Sequence, residues 1–547
     1  TAVQAFQDAG GIVVGDENLC PAIKPDILLP THDRPREADQ ARGLNLPPWV
    51  DSQHHYLILR LILEKGGLPD SLAPSLPVPF YYHYSFHASA AVFAALSRLS
   101  LGRAVLIFGQ VLKVGISLSV YSLGKALWRD WHPADSSALL MSFATRMPAY
   151  YLSWGRYTLT AGLVLLPLAM GLALRLLRQS QTTDATLIED ETLTNSEPLI
   201  RGETLAKGET LTLALLTAGL LLSHYFAAFL LALFLILLAF AYLIPRWDRP
   251  LTALLQLAPV ALAAGLGLLL AGPWLLRVAQ FSPASTRVSA RLPASMADLL
   301  ASDRWTYLGS LLSPSSNHWL LPLAGAGLIL GLASRKRVGF ALWSLAVALL
   351  MLPLGQTLGP FRPDHFAIVS FLPAAVWAAW FFWQAGCWLD KRLKLPWLKL
   401  ALPALLVMVW TAWGWPLSAD IVNPVTTFIT PADLRALEWV QAHTPEDARF
   451  FINTTHWLSG MYRGVDGGGW LLPYTGRWAL VPTVFYGFSP DTAYRERIRD
   501  WGEQASEMGT CSEAFWSLVD AAELDHIYLR AGIGRLQPGD LEGCQGI

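Results

Sequence analysis

The sequence predicts a mainly α-helical, polytopic transmembrane bundle of about ten spans, followed by a soluble α/β domain of roughly 130 residues at the C-terminus. Three observations predict it. Hydrophobic residues make up 53% of the 547-residue chain and charged residues 15%, against about 25% charged in soluble domains. Long apolar runs follow one another from residue 104 to residue 416. After Pro416 they stop, and charges and short alternating segments take over.

Composition also excludes. With 40 basic and 41 acidic residues, the chain lacks the cationic excess that a nucleic-acid partner requires. Its four cysteines are too few for a metal cluster. Cys20 lies in a polar stretch and Cys387 ends an apolar run, while Cys511 and Cys544 share the C-terminal domain. That pair either forms a disulfide, if the domain lies outside the cytoplasm, or stays as two thiols. The chain opens on Thr1 with no apolar segment before a polar first fifty residues. The expectation is that a signal or first helix has been removed, or that this is a fragment.

In order along the chain, residues 1–103 read as an exoplasmic first loop. Within it Asp51 starts an amphipathic helix that runs through Glu64 and closes at Gly66-Gly67-Leu68-Pro69. The apolar stretch 86–100 carries Arg98 and is short of the ~20 residues of a span, so it reads as a helix lying in the membrane interface. The bundle occupies 104–417, with spans at 104–127, 137–153, 158–178, 209–223, 225–244, 251–272, 319–334, 338–354, 366–384 and 399–416. Basic connections set their direction. Arg175 with Arg178, Arg246 with Arg249, Arg335-Lys336-Arg337, and Lys391-Arg392 with Lys394 should be cytoplasmic, and counting from any one places the rest on the same side. Arg129 is then inside, and 154–157, 272–318, 355–365 and 418–547 are outside. The acidic segment 179–208, with Glu-Thr-Leu at 191–193, 203–205 and 209–211, reads as a disordered cytoplasmic loop. In the C-terminal domain 431–442 reads as an amphipathic helix, Arg449–Ile452 as a strand, 490–506 as a charged helix and Asp525–Leu529 as a second strand. Gly467-Gly468-Gly469-Trp470 lacks the Lys-Ser/Thr pair of a phosphate loop and reads as a flexible loop.

Once direction is fixed, the unusual polar clusters gather on the outer side, where charges near hydrocarbon demand a reason. Asp51, His54 and His55 share a helix face. A carboxylate beside imidazoles can act as a general base or hold a divalent metal ion, although Asp at that position also caps helices. His83 and His87 stand four apart in an aromatic stretch that fits a metal or phosphate grip or an interfacial anchor. Ser153-Trp154-Gly155-Arg156-Tyr157-Thr158 sets a guanidinium among aromatics, suited to a phosphate or sugar, or to snorkelling. His224-Tyr225 separates two apolar runs. In Phe361-Arg362-Pro363-Asp364-His365, Arg362 can bind a carrier phosphate or pair with Asp364. Arg277, Arg287, Arg291 and Arg304 add positive charge to the 272–318 loop. Lys113 and Arg146 fall within spans, Arg146 just before Met147-Pro148, where a helix can break.

An early loop Asp, then Gly-Leu-Pro and an aromatic stretch leading to an interfacial helix, resembles the multi-spanning glycosyltransferases of the C superfamily. Protein O-mannosyltransferases and the aminoarabinose transferases of lipid A belong to that group. Ser153-Trp154-Gly155-Arg156-Tyr157, His224-Tyr225 and Phe361-Arg362-Pro363-Asp364-His365 look most like a bacterial branch, which implies an integral plasma-membrane protein. The resemblance implies a polyprenyl-phosphate-linked sugar as donor and Asp51 as the loop acid that takes the acceptor's proton. His54, His55, Arg156, Tyr157, His224, Arg362 and His365 would line the substrate, and a divalent metal ion is left open. Ser52 stands where the mannosyltransferases have the second acid of an Asp-Glu pair. Two other readings stay in view: a transporter or flippase of a lipid-linked substrate, and a non-catalytic envelope-binding membrane protein.

Overall fold

The run Leu57-Ile58-Leu59-Arg60-Leu61-Ile62 has no polar stripe wide enough to face water, and helix α1 (Val50–Lys65) is buried on nearly all sides rather than amphipathic. The structure, a computed structural model, describes residues 43–189, 197–281, 289–290, 305–306, 320–333, 337–352, 356–357, 361–419, 422–542 and 544. Within it α1 joins three apolar cores. Val50 packs with the helix bundle, Tyr56 with the C-terminal domain, and Leu57, Ile58 and Leu61 with a layer shared with α2 (Ser85–Ser97). Helix α2 has the expected place and is too short to span. Phe86, Ala90 and Ala94 are buried, while Val92 and Leu96 are exposed on its other side.

The bundle begins with α3 (Leu101–Trp128). The run expected to span at 137–153 is instead α4 (Trp131–Phe143), a break, and α5 (Tyr150–Ser153). Pro148 lacks the N–H a continuing helix would need, so the chain turns there. Helices α6 (Tyr157–Glu189) and α7 (Glu197–Ser223) run into the acidic segment from both sides. Most of what was expected as a disordered loop is therefore helical, in keeping with residues such as Leu, Ala, Glu and Gln that tolerate helix well. Residues 191–193, the first of the three Glu-Thr-Leu repeats, lie outside the described residues.

Then follow α8 (Tyr225–Leu243), α9 (Pro250–Phe281), α10 (Leu320–Leu332), α11 (Val338–Leu350), α12 (Pro363–Ala367), α13 (Phe371–Leu393) and α14 (Leu398–Ala419). Among the described residues six helices are long and apolar enough to cross a membrane: Leu101–Trp128, Tyr157–Gln181, Tyr225–Arg246, Pro250–Phe281, Pro363–Leu393 and Leu398–Pro416. By that length and apolarity the chain is an integral membrane protein. Helices α10 and α11 have 13 residues each, short of the ~20 that an upright crossing takes. Two-residue strands β1 (Ser289–Ala290) and β2 (Gln356–Thr357) pair antiparallel.

After the bundle comes a small α/β unit. Strand β3 (Arg449–Ile452) is central in a parallel sheet, between β6 (Trp478–Ala479) and β7 (His526–Tyr528). Strands β4 (Thr454–His456) and β5 (Tyr462–Gly464) form an antiparallel pair. Helices α15 (Pro431–His443), α16 (Thr492–Glu507) and α17 (Glu513–Ala521) accompany them. Cys511 and Cys544 form a disulfide, which resolves the alternative left open by the sequence. The segment Gly467–Trp470 is a buried 3-10 turn, not a flexible loop. A Cβ on Gly469 would stand 2.6 Å from Gln53 Nε2 of α1, so a side chain there would have to push that amide aside.

Candidate functional site

Asp51 occupies the first turn of α1 but does not cap it. The cap position is Trp49, at φ 71° and with no side-chain cap bond. Its N–H donates to the Thr426 carbonyl at 2.8 Å, and Ser52 Oγ donates to the Pro48 carbonyl. Against this start packs the turn that carries Arg156. Gly155 has φ 64°, where a side chain costs energy. A Cβ there would lie 2.5 Å from Ser52 Oγ and 3.2 Å from the Pro48 carbonyl oxygen. The glycine thus lets the chain seat Arg156 close enough for its charge to act on Asp51. Burial pushes the Asp51 carboxyl up, the Arg156 guanidinium pulls it down, and burial prevails at about 6. Arg156 also lies over the Trp154 ring, 5.3 Å from its centroid.

Imidazoles and aromatic rings form one wall. His54 is 5% exposed, and neither of its ring nitrogens has a hydrogen-bond partner among the described residues. It packs 4.9 Å from Phe485 and 5.7 Å from Tyr82, centroid to centroid. Burial and the neighbouring His87 and His83 lower its pKa to about 3, so it is a neutral imidazole. His55 Nδ1 and His87 Nε2 share a hydrogen bond of 2.9 Å. His83 turns the other way, with its ring 4.9 Å from that of His224. His83 and His87 thus point their rings at different partners, His224 and His55, while His87 Nδ1 lies 3.2 Å from the His83 carbonyl. Among the described residues no three His, Cys, Asp or Glu side chains converge to hold a metal ion.

Helices α8 and α12 supply a second group of side chains, in contact with the first where His83 meets His224 and Tyr225. His224 Nδ1 accepts the Phe226 N–H at 3.1 Å and so caps α8. Tyr225 is stacked on Phe361 at 5.6 Å and lies within electrostatic range of Arg156, Arg362, Asp51 and Asp364 alike. Arg362 grips the buried Asp364 with two bonds of 3.0 Å, Nε to Oδ1 and Nη2 to Oδ2. His365 Nδ1 accepts the Arg362 N–H at 3.2 Å, and its ring packs 5.7 Å from Phe226.

Sequence reasoning thus nominates residues from four distant segments, and Asp51, Arg156, Arg362 and Asp364 share one electrostatic neighbourhood around Tyr225. Tyr157 is buried, stacked on Phe86 at 5.2 Å and hydrogen-bonded to Ser52, and it lines a small cavity together with Pro48, Leu152 and Ser153. Arg277 holds backbone carbonyls of the first loop, with Nε on Phe80 at 2.7 Å and Nη2 on Asp70 at 2.5 Å. Arg287, Arg291 and Arg304 lie outside the described residues.

Three features were not found from sequence. Tyr82, hydrogen-bonded to Thr158, has Asp51 and Arg156 within electrostatic range. Arg463, from the C-terminal domain, is boxed by Trp49, Phe428 and Trp457 at 5.5, 4.9 and 5.1 Å from their ring centroids. It therefore holds the residue that starts the Asp51 helix. Asp466, 0% exposed, accepts from the Gly468 and Arg530 N–H groups, and burial raises its carboxyl to about 6. The nearest sequence signal to these was the isolated Arg463 between two aromatic stretches.

No family model matches the chain, and no curated protein does. Solved structures do match. An oligosaccharyltransferase of Archaeoglobus fulgidus in its apo form aligns with a TM-score of 0.55 at 12% identity, over 90% of this chain and 67% of that one. The archaeal oligosaccharyltransferase AglB of the same organism, in complex with an inhibitory peptide and a dolichol-phosphate, aligns with a TM-score of 0.53 at 13% identity, over 88% and 68%. ArnT from Cupriavidus metallidurans, bound to undecaprenyl phosphate, aligns at 0.46 and 13% identity, over 80% and 82%. At these identities the likeness is one of fold. The chain shares its fold with the archaeal transferases, and the expected resemblance to the glycosyltransferase C architecture is borne out at that level.

Proposed function

We propose that this chain is a membrane glycosyltransferase that moves a sugar from a polyprenyl-phosphate donor to an acceptor hydroxyl on the exoplasmic side of a bacterial plasma membrane. In this reading residues 1–103 are an exoplasmic loop, 104–417 a bundle of ten crossings in which short helices join the six long ones, and 418–547 an exoplasmic domain. The observation that carries the reading is the buried Asp51 carboxyl at the helix start against which the Gly155 turn packs, with the Arg156 charge acting on it. A carboxyl near pH 6 is mostly ionised at neutral pH yet still basic enough to accept a proton, which is where a general base works best.

The step runs as follows. Asp51 takes the proton of the acceptor hydroxyl, and the acceptor oxygen bonds to the anomeric carbon. The bond from that carbon to the phosphate oxygen breaks, and its electron pair leaves with the polyprenyl phosphate. Arg156 stabilises the charge gathering on the phosphate. Arg362 contributes from the start of α12 with its fork already oriented by Asp364. The neutral imidazoles of His54 and His83 and the hydroxyls of Tyr82 and Tyr225 supply hydrogen bonds to the sugar. If a divalent metal ion binds, Asp51 is the carboxylate at the site that would hold it, and the ion would supply positive charge against the donor phosphate.

The test is sugar transfer or release by the reconstituted protein from a panel of polyprenyl-phosphate sugars. Loss of a general base costs typically about 10²–10⁴-fold, so Asp51→Asn should drop turnover into that range with the lipid still bound. Equal turnover in parent and variant would refute the role. A parent that binds the lipid and transfers nothing from any donor would favour the non-catalytic reading.

A further inference from the structure

A cavity of about 330 Å³ opens in the C-terminal domain, at the end of the sheet away from α1. Strand β3 runs from Arg449 to Ile452. Ile452 packs against Gly468, in the turn that meets Gln53 of α1. Arg449, at the other end of the strand, stands in register with Trp478 of β6, and both line the cavity. This place is therefore separate from the Asp51 site.

The lining is aromatic and polar in a specific arrangement. The rings of Trp478 and Trp501 stand 6.0 Å apart at 88°, making a corner with two apolar faces. The Arg449 guanidinium lies 4.6 Å from the Trp478 centroid and is ion-paired with Glu523. The Arg497 guanidinium lies 5.6 Å from Trp501 and 5.9 Å from Tyr494. Tyr494 is only 8% exposed, yet its hydroxyl has no hydrogen-bond partner among the described residues.

We propose that this corner binds one sugar unit of a glycan. The C–H face of a sugar ring is apolar and fits an indole wall, while its rim of hydroxyls needs donors and acceptors together. Arg497 donates, and the Glu523 carboxylate accepts. Glu523 also offsets the charge of Arg449, which leaves the Arg497 guanidinium as the net charge of the lining side chains. The volume suits a ligand of one or two rings, at the small end of the ~300–1,000 Å³ range of ligand sites. The site stands on the cavity alone and does not rest on the transferase reading.

The experiment is saturation-transfer NMR and calorimetry on the full chain in nanodiscs, titrated with short glucan, mannan, arabinan and N-acetylglucosamine oligosaccharides. At least one should bind, and Arg497→Ala and Trp501→Ala should each weaken it about tenfold or more, through a lost charged hydrogen bond or a lost ring face. Arg497 is exposed, so its variant tests binding without disturbing the core. Asp51→Asn should leave the affinity unchanged. Binding by none of the panel, parent-level binding by either cavity variant, or loss of binding in Asp51→Asn would each overturn the proposal.

Discussion

Replacing Gly155 by alanine should misplace Arg156 without touching a charged group. Two costs arise. The position has φ 64°, where a side chain costs about 1–2 kcal/mol. The added methyl would also stand 2.5 Å from Ser52 Oγ and 3.0 Å from the Ser52 nitrogen. The hydroxyl can rotate away but the backbone nitrogen cannot, so the turn must retreat by several tenths of an ångström. A displacement of about 1 Å near reacting groups costs on the order of 10²-fold, so the Gly155→Ala rate should fall roughly tenfold. Because Arg156 holds the Asp51 carboxyl down, its retreat should also move the acid limb of the pH–rate profile to higher pH. The assay is the transfer rate from pH 4.5 to 8 in nanodiscs, with thermal melting as a control on folding. A variant with the parent rate and an unmoved limb would refute the claim that Gly155 seats Arg156 against Asp51.

Other expectations follow from the same geometry. In the parent, activity should fall below pH 6 as Asp51 gains its proton, losing about tenfold per pH unit; a flat profile down to pH 4.5 would exclude Asp51 as the base. Arg463→Ala removes a guanidinium boxed by three rings and should destabilise by roughly 1–2 kcal/mol, seen as a lower melting temperature and faster proteolysis around residues 422–430. Reducing the Cys511–Cys544 bond, which closes a loop across 33 positions, should cost the C-terminal domain about 3–4 kcal/mol by loop entropy, measured by melting with and without reductant. Arg362→Lys keeps the charge but loses the fork on Asp364, so it should resemble Asp364→Asn in transfer assays.

Local signals made much of the fold legible. The strand Arg449–Ile452 and the helices Pro431–His443 and Thr492–Glu507 lie where alternation and helical spacing placed them. Strand Trp478–Ala479 was not legible, because two residues carry no periodicity and the strand exists only by pairing with β3. The burial of α1 and of the Gly467 turn depends on each other across more than four hundred positions, and no local pattern records that. Arg156 and Arg362 could be nominated from their aromatic neighbours. That Arg156 acts on Asp51 while Arg362 is clasped by Asp364 is a matter of tertiary distance. Tyr82 and Tyr225 looked like ordinary interfacial tyrosines, since nothing in their flanking residues shows which charges fold against them.

The central claim is that Asp51, Arg156 and Arg362 surround a lipid-carried phosphate. The most direct measurement is an experimental structure of the full chain with undecaprenyl phosphate. The account predicts the phosphate within hydrogen-bonding reach of Arg156 or Arg362, with the Asp51 carboxylate on its open side. Phosphate density elsewhere, for example beside Arg129 and Arg178 at the other end of the bundle, would contradict it.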